Sequence, residues 1–214
     1  MINIPEEIQN FLKEEFSKLP HKVKLLYFTQ AFECPPCQYT HGLLNEIVKF
    51  SEKIILEIYD FQKDIEKVKQ YKIDKIPAIV VEGVKDYGIR FFGVPSGYEF
   101  NSLIEDIIDV SRGSTDLSEE TKKVLKKLTK PVHIQVFISL TCPYCPLAVR
   151  MAHKLAIEND FIRGDMIESA EFPYLINKYD VFGVPKVIIN EDIRFESALP
   201  EPLFVEKVME VERK

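Results

Sequence analysis

The sequence predicts an α/β protein in which one unit is written twice, each copy a mixed central sheet flanked by helices. Three observations predict it. Two Cys-x-x-Cys motifs, Cys34-Pro35-Pro36-Cys37 and Cys142-Pro143-Tyr144-Cys145, each follow an apolar run and open a helical pattern. Ile76-Pro77 lies 43 residues after Cys34, and Val184-Pro185 lies 43 residues after Cys142. The approaches to those prolines also match, Tyr71-Lys72-Ile73-Asp74-Lys75 against Tyr179-Asp180-Val181-Phe182-Gly183, at an offset of 108 residues.

The elements follow in order. Ile8, Phe11, Leu12, Phe16 and Leu19 recur at helical spacing over 5–19, with Pro5 suited to a first helical position. A strand is expected at 23–30, then the first cysteine turn and a helix to about residue 51. A strand at 54–61, a short helix near 63–71 and strands at 78–82 and 89–92 follow, with a turn at Gly83. A helix over 99–110 closes the first unit. Ser111-Arg112-Gly113-Ser114-Thr115-Asp116 reads as a short linker. The second unit repeats the order: helix 118–128, strand 132–138, cysteine helix 143–158, strand 161–167, helix 171–179, strands 185–190 and 193–196, helix 201–212. The domains are therefore expected at 1–112 and 113–214. Each β-α-β stretch imposes a parallel pair with a right-handed crossover, and each closing pair of strands is a hairpin.

Composition bounds the function. Of the 214 residues 46% are hydrophobic and 29% charged, which fits a globular protein. A net charge of −6 argues against a nucleic-acid partner, and Lys122-Lys123 and Lys126-Lys127 sit beside Glu119-Glu120 as a solvated helix face. No apolar run approaches membrane-spanning length, and the acidic start Met1–Glu7 lacks the features of a secretion signal. The expected location is the cytoplasm, without a membrane partner. All four cysteines fall in the two motifs, too few for a disulfide scaffold. With 22 Lys, 23 Glu, 6 Gln and no Trp the balance leans towards a thermophile, where intracellular disulfides are tolerated.

Residues i and i+3 share a helix face, so each pair of sulfurs can reach bonding distance. A helix N-terminus supplies free N–H groups and partial positive charge, which favour thiolate. These are places for a disulfide to form and break. Zinc ligation by the four thiols, a bridged iron–sulfur cluster and inert buried thiols are the competing readings. The pairs stand about 104 residues apart, each with its own proline, unlike the close spacing of zinc sites.

The motifs, the Ile/Val-Pro before a later strand and the element order together resemble the thioredoxin/glutaredoxin family. Two intact units in tandem resemble the protein disulfide oxidoreductases of hyperthermophiles, over nearly the whole chain. The resemblance implies two tandem thioredoxin-like folds and a dithiol–disulfide oxidoreductase acting on protein disulfides. Cys34 and Cys142 would attack, and Cys37 and Cys145 would resolve the mixed disulfide. Two units acting on one substrate would add isomerase behaviour. Pro77 and Pro185 resemble the family's cis-prolines, and the Ile76 and Val184 backbones would pair with an extended substrate segment.

Partners would be protein disulfides or dithiols and a separate thioredoxin-reductase-like electron donor. No phosphate loop, nucleotide cofactor or metal is implied. An electron-relay module of a peroxide-reducing system is the narrower alternative, although there one unit typically lacks its cysteines.

Two local expectations follow. Proline at the i+2 position leaves Cys34 only the Cys37 N–H, whereas Tyr144 and Cys145 can both donate to Cys142, predicting the lower thiol pKa at Cys142. The family's buried acid, six residues before the first cysteine, is replaced by Phe28 and Val136. Glu33 is a candidate substitute, and His41, one turn past Cys37, a candidate modulator.

Overall fold

A computed structural model describes residues 4–213. The acidic start at 1–7 lies partly outside them. The first unit runs α1 (Glu6–Ser17), β1 (Val23–Thr29), α2 (Pro35–Ile47), β2 (Ile54–Asp60), α3 (Ile65–Gln70), β3 (Ala78–Glu82), β4 (Asp86–Phe92) and α4 (Glu99–Arg112). The second runs α5 (Glu119–Leu125), β5 (Val132–Ile138), α6 (Cys145–Glu158), β6 (Ile162–Glu168), α7 (Pro173–Tyr179), β7 (Lys186–Ile189), β8 (Ile193–Glu196) and α8 (Glu201–Met209). The order is the one predicted, and the folds are two tandem thioredoxin-like units.

Several boundaries move. Pro5 is the N-cap of α1 rather than its first residue. Helix α4 continues through Ser111 and Arg112 and stops at Gly113, whose φ of 67° suits glycine, so the connection begins two residues later than expected. Strand β4 starts at Asp86, because Gly88 at φ 85° carries the chain through an irregular pairing that alternation alone does not reveal.

The units do not keep separate sheets. All eight strands join in the order β2-β1-β3-β4-β6-β5-β7-β8. The seam is a parallel pair in which Ile89, Arg90, Phe91 and Phe92 face Gly164, Asp165, Met166 and Ile167. Gly88 permits the approach: a Cβ there would stand 2.7 Å from the Ile162 carbonyl oxygen. Alternation then sorts the core. Tyr27, Ile79, Phe91, Met166, Val136 and Val187 point to one face, with residues of α2, α4, α6 and α8. Phe28, Ala78, Phe92, Ile167, Phe137 and Ile188 point to the other, with α3 and α7.

Buried charge reinforces the seam. On the α3/α7 face Arg90 holds Asp86 through two bonds of 2.8 and 2.6 Å. Asp165 accepts from Arg163 at 2.7 and 2.8 Å and from His133 at 2.6 Å. Burial pushes the Asp165 carboxyl up, but the guanidinium and His133 outweigh it and hold it below the usual carboxylate range. On the other face α4 of the first unit packs against α6 of the second. Arg150 reaches Glu105 at 3.0 Å and also engages Asp106 and Asp109. His153 Nδ1 donates to Asp106 at 2.6 Å. Burial and the nearby Arg150 depress the imidazole to about 3, so it is neutral.

Candidate active sites

Strand directions place both cysteine motifs on one edge of the sheet. β1 and β5 end there, and β3 and β7, antiparallel to them, begin there. Each motif therefore faces the proline that opens the neighbouring strand. Both Ile76-Pro77 and Val184-Pro185 are cis.

In the first site Cys34 is the N-cap of α2, with Pro35 and Pro36 at the first helical positions, where a missing N–H costs nothing. Cys34 and Cys37 are disulfide-bonded with Cα atoms 5.2 Å apart. Cys34 is the more exposed of the pair, at 8% against 1% for Cys37. The Cys37 N–H donates to Cys34 Sγ at 3.3 Å, and Tyr27 Oη donates to the Cys37 carbonyl at 2.6 Å.

The second site departs from the expected helix start at 143. Cys142 lies in a turn closed by its own N–H on the Ser139 carbonyl at 3.0 Å, and α6 begins at Cys145. Cys142 and Cys145 are disulfide-bonded with Cα atoms 5.5 Å apart, and Cys145 is fully buried. The Cys145 N–H donates to Cys142 Sγ at 3.1 Å. Among the described residues Tyr144 N–H makes no such bond, because the turn holds it outside the helix. The second donor expected at Cys142 is therefore absent in the disulfide state. Cys142 Sγ also lies 3.8 Å from the Val184 carbonyl oxygen, which sets the residue before Pro185 against the sulfur.

A single segment spans the two sites. Gly93 N–H donates to the Pro77 carbonyl at 2.9 Å, Val94 N–H to Glu171 at 2.7 Å, and Tyr98 N–H to the Leu140 carbonyl at 3.4 Å. Gly97, at φ 59°, lies so close that a Cβ would strike the Leu140 oxygen. Leu140 is two residues before Cys142, so the first unit helps to build the second site.

This segment leads into a residue that pattern reading misses. Glu99, on the first turn of α4, is fully buried. Ser102 donates to one of its oxygens at 2.7 Å, and the other makes no hydrogen bond within the protein. Burial raises the carboxyl to about 7, against the lowering effect of Ser102. Its only sequence signal is a lone acid at a helix start, common on any surface. Glu171, from the second unit, is likewise raised by burial and by Glu168, against the Val94 N–H.

The position of the missing acid differs from the expected one. β1 and β5 match residue for residue, but the loop before Cys34 is one residue longer than the loop before Cys142. Tyr27, not Phe28, is thus the equivalent of Val136 on the face beneath the redox helix. Burial raises the Tyr27 phenol to about 12, so it acts as a hydrogen-bond donor. Glu33 occupies the longer loop at φ 56° and is exposed. His41 stacks on Tyr27 with centroids 6.1 Å apart, and it lines a cleft of about 390 Å³ together with Cys37.

Among the described residues no group of three or more His, Cys, Asp and Glu is arranged to hold a metal ion, and no helix is long and apolar enough to cross a membrane.

Residues 132–210 match the thioredoxin domain family. Over 148 residues the chain is 30% identical to the flavoprotein-named relative alkyl hydroperoxide reductase AhpF of Staphylococcus aureus, covering 69% of this chain and 27% of that protein. It is 27% identical over 150 residues to an NADH dehydrogenase of Bacillus subtilis, covering 70% of this chain and again 27% of the relative. The chain thus spans about a quarter of the length of these curated relatives. Whole-length likeness comes from solved structures. The protein disulfide oxidoreductase of Aeropyrum pernix superposes with a TM-score of 0.92 at 28% identity, covering 100% of this chain and 95% of that one. The alkyl hydroperoxide reductase AhpF of Enterococcus faecalis gives 0.90 at 29% identity, covering 96% and 99%. Paired cysteines and prolines on one sheet edge agree with that likeness, and the chain belongs to the tandem thioredoxin-fold family that includes the Aeropyrum pernix protein disulfide oxidoreductase.

Proposed function

We propose that the chain is a dithiol–disulfide oxidoreductase acting on protein disulfides through two redox sites, in units 1–112 and 113–214. The observation that carries this reading is the pair of Cys-x-x-Cys disulfides, each with its first cysteine more exposed and each placed against an X-Pro at a strand start. In reduction the Cys34 or Cys142 thiolate attacks a substrate disulfide and releases one substrate thiol. Cys37 or Cys145 then displaces the second thiol and closes the protein's own disulfide. Oxidation runs the same steps in reverse. Ile76 and Val184 offer backbone for an extended substrate segment, with Pro77 and Pro185 fixing the turn. Electrons for repeated reduction come from a separate thioredoxin-reductase-like donor.

Likeness to the alkyl hydroperoxide reductase AhpF favours a second reading, an electron relay serving a peroxide-reducing system. Two intact cysteine pairs fit the general oxidoreductase better. Reduction of insulin by dithiothreitol tests the main reading. Catalysis is expected from the natural protein, with partial activity left in Cys34→Ser and in Cys142→Ser. An inactive natural protein contradicts it.

Glu99 fills the role that Val136 leaves open, taking the proton released when Cys145 becomes a thiolate. Its carboxylate form, needed for that step, grows as pH rises through about 7. In protein carrying Cys34→Ser and Cys37→Ser, Glu99→Gln is expected to slow turnover about tenfold at pH 8 and to remove the rise in rate between about pH 6 and 8. An unchanged pH profile contradicts the assignment.

A further inference from the structure

The two sites differ most in the rim around the reacting sulfur. Four exposed apolar side chains gather at the second site. Tyr144 is 67% exposed within the motif, and Leu147 is 62% exposed where its N–H meets the Tyr144 carbonyl. Phe182 is 91% exposed and stands two residues before Val184, whose carbonyl oxygen touches Cys142 Sγ. Tyr98, 51% exposed, is tied to Leu140 on the approach to Cys142. Phe182 buries almost nothing in the folded chain, so it contributes nothing to the core. Single exposed apolar residues are ordinary, but four around one redox sulfur form a patch.

At the first site the residue equivalent to Phe182 is Asp74, and Gly183 is replaced by Lys75. These two form an ion pair at 2.5 Å, and Lys75 Nζ lies 3.8 Å above the Phe92 ring. Glu33 adds a charge beside Cys34, although Phe32, 62% exposed, keeps one aromatic nearby. The rim there is largely ionic.

We propose that the second site selects cysteines flanked by apolar side chains, as displayed by an unfolded polypeptide, and that Phe182 sets this preference while the Asp74–Lys75 rim denies it to the first site. The proposal rests on the oxidoreductase reading and names the substrate class of one of its sites. The occupant follows from the position of the patch. A mixed disulfide at Cys142 must lay a substrate chain between Phe182 on the proline side and Tyr144 and Leu147 on the helix side. Apolar neighbours of the substrate cysteine then cover Phe182, whereas charged neighbours lose hydration without a partner.

The test uses full-length protein with one site silenced, by Cys34→Ser with Cys37→Ser or by Cys142→Ser with Cys145→Ser. Each form reduces two disulfide-linked peptides differing only at the residues beside cysteine, Phe and Leu in one, Ser and Lys in the other. The ratio of kcat/KM is read for each. The second site is expected to favour the apolar peptide about tenfold, and the first less than about threefold. Phe182→Asp is expected to bring the second site's ratio close to one, while Phe182→Leu retains it. Equal ratios at the two sites, or an unchanged ratio in Phe182→Asp, overturn the proposal and leave the oxidoreductase reading standing. So does a concentration-dependent dimer that Phe182→Asp dissociates, since the patch would then serve a second copy. If the natural protein reduces neither peptides nor insulin, the oxidoreductase reading falls and takes the proposal with it.

Discussion

Replacing Cys34 and Cys142 together by serine is expected to lower insulin reduction about a thousandfold or more, to the rate of dithiothreitol alone. Serine is nearly the same size, so the sites keep their shape. It lacks an accessible anion near neutral pH and a sulfur that can enter a disulfide. Cys37 and Cys145 remain, but at 1% and 0% exposure neither can be reached by a protein disulfide. Each single variant leaves the other site whole, so the double variant separates two working sites from one working site and a bystander. A double loss equal to one of the single losses would mean that one pair is idle. Residual activity in the double variant would mean that a buried cysteine has become exposed.

The second large effect is on stability. Asp106→Ala is expected to destabilise the protein by about 3–5 kcal/mol, because it leaves two groups without their buried acceptor. Asp106 is fully buried, takes His153 Nδ1 at 2.6 Å and engages the Arg150 guanidinium. Glu105 and Asp109 still hold part of Arg150, but the His153 N–H loses its partner. Asp106 lies on α4 of the first unit, whereas Arg150 and His153 lie on the cysteine helix of the second. The loss therefore loosens the joint between the units, not one unit alone. Chemical denaturation reads the shift, and a change below about 1 kcal/mol would show that the cluster adds little beyond apolar packing. Asp106→Asn, which keeps an acceptor without the charge, is expected to fall between.

Much of this is legible in the sequence. The four cysteines, the two prolines and the order of sixteen elements all come from local signals: apolar alternation, helical spacing, proline and glycine. What stays hidden depends on contacts between distant residues. Nothing local marks β4 and β6 as partners across the seam. The pairing of Arg90 with Asp86 and of Arg163 with Asp165 makes charged residues acceptable inside strands, where pattern reading expects apolar ones. Glu99 looks like any acid at a helix start until the fold buries it. A one-residue difference before Cys34 is enough to put Phe28 where Tyr27 belongs, because a slip of one turns a strand residue to the opposite face. Cys142 reads as helical because the spacing of α6 runs smoothly back to it, and the Ser139 turn that separates them leaves no compositional mark.

The central claim is that this chain holds two reversible dithiol sites, and the redox state of each pair in the intact protein tests it most directly. Equilibration across glutathione redox buffers, followed by differential alkylation and mass spectrometry, assigns that state pair by pair. Cys34 with Cys37 and Cys142 with Cys145 should each pass from two alkylated thiols to one internal disulfide, without cross-pairing. Thiols that stay reduced across the whole series, or that react only after a chelator is added, would contradict it.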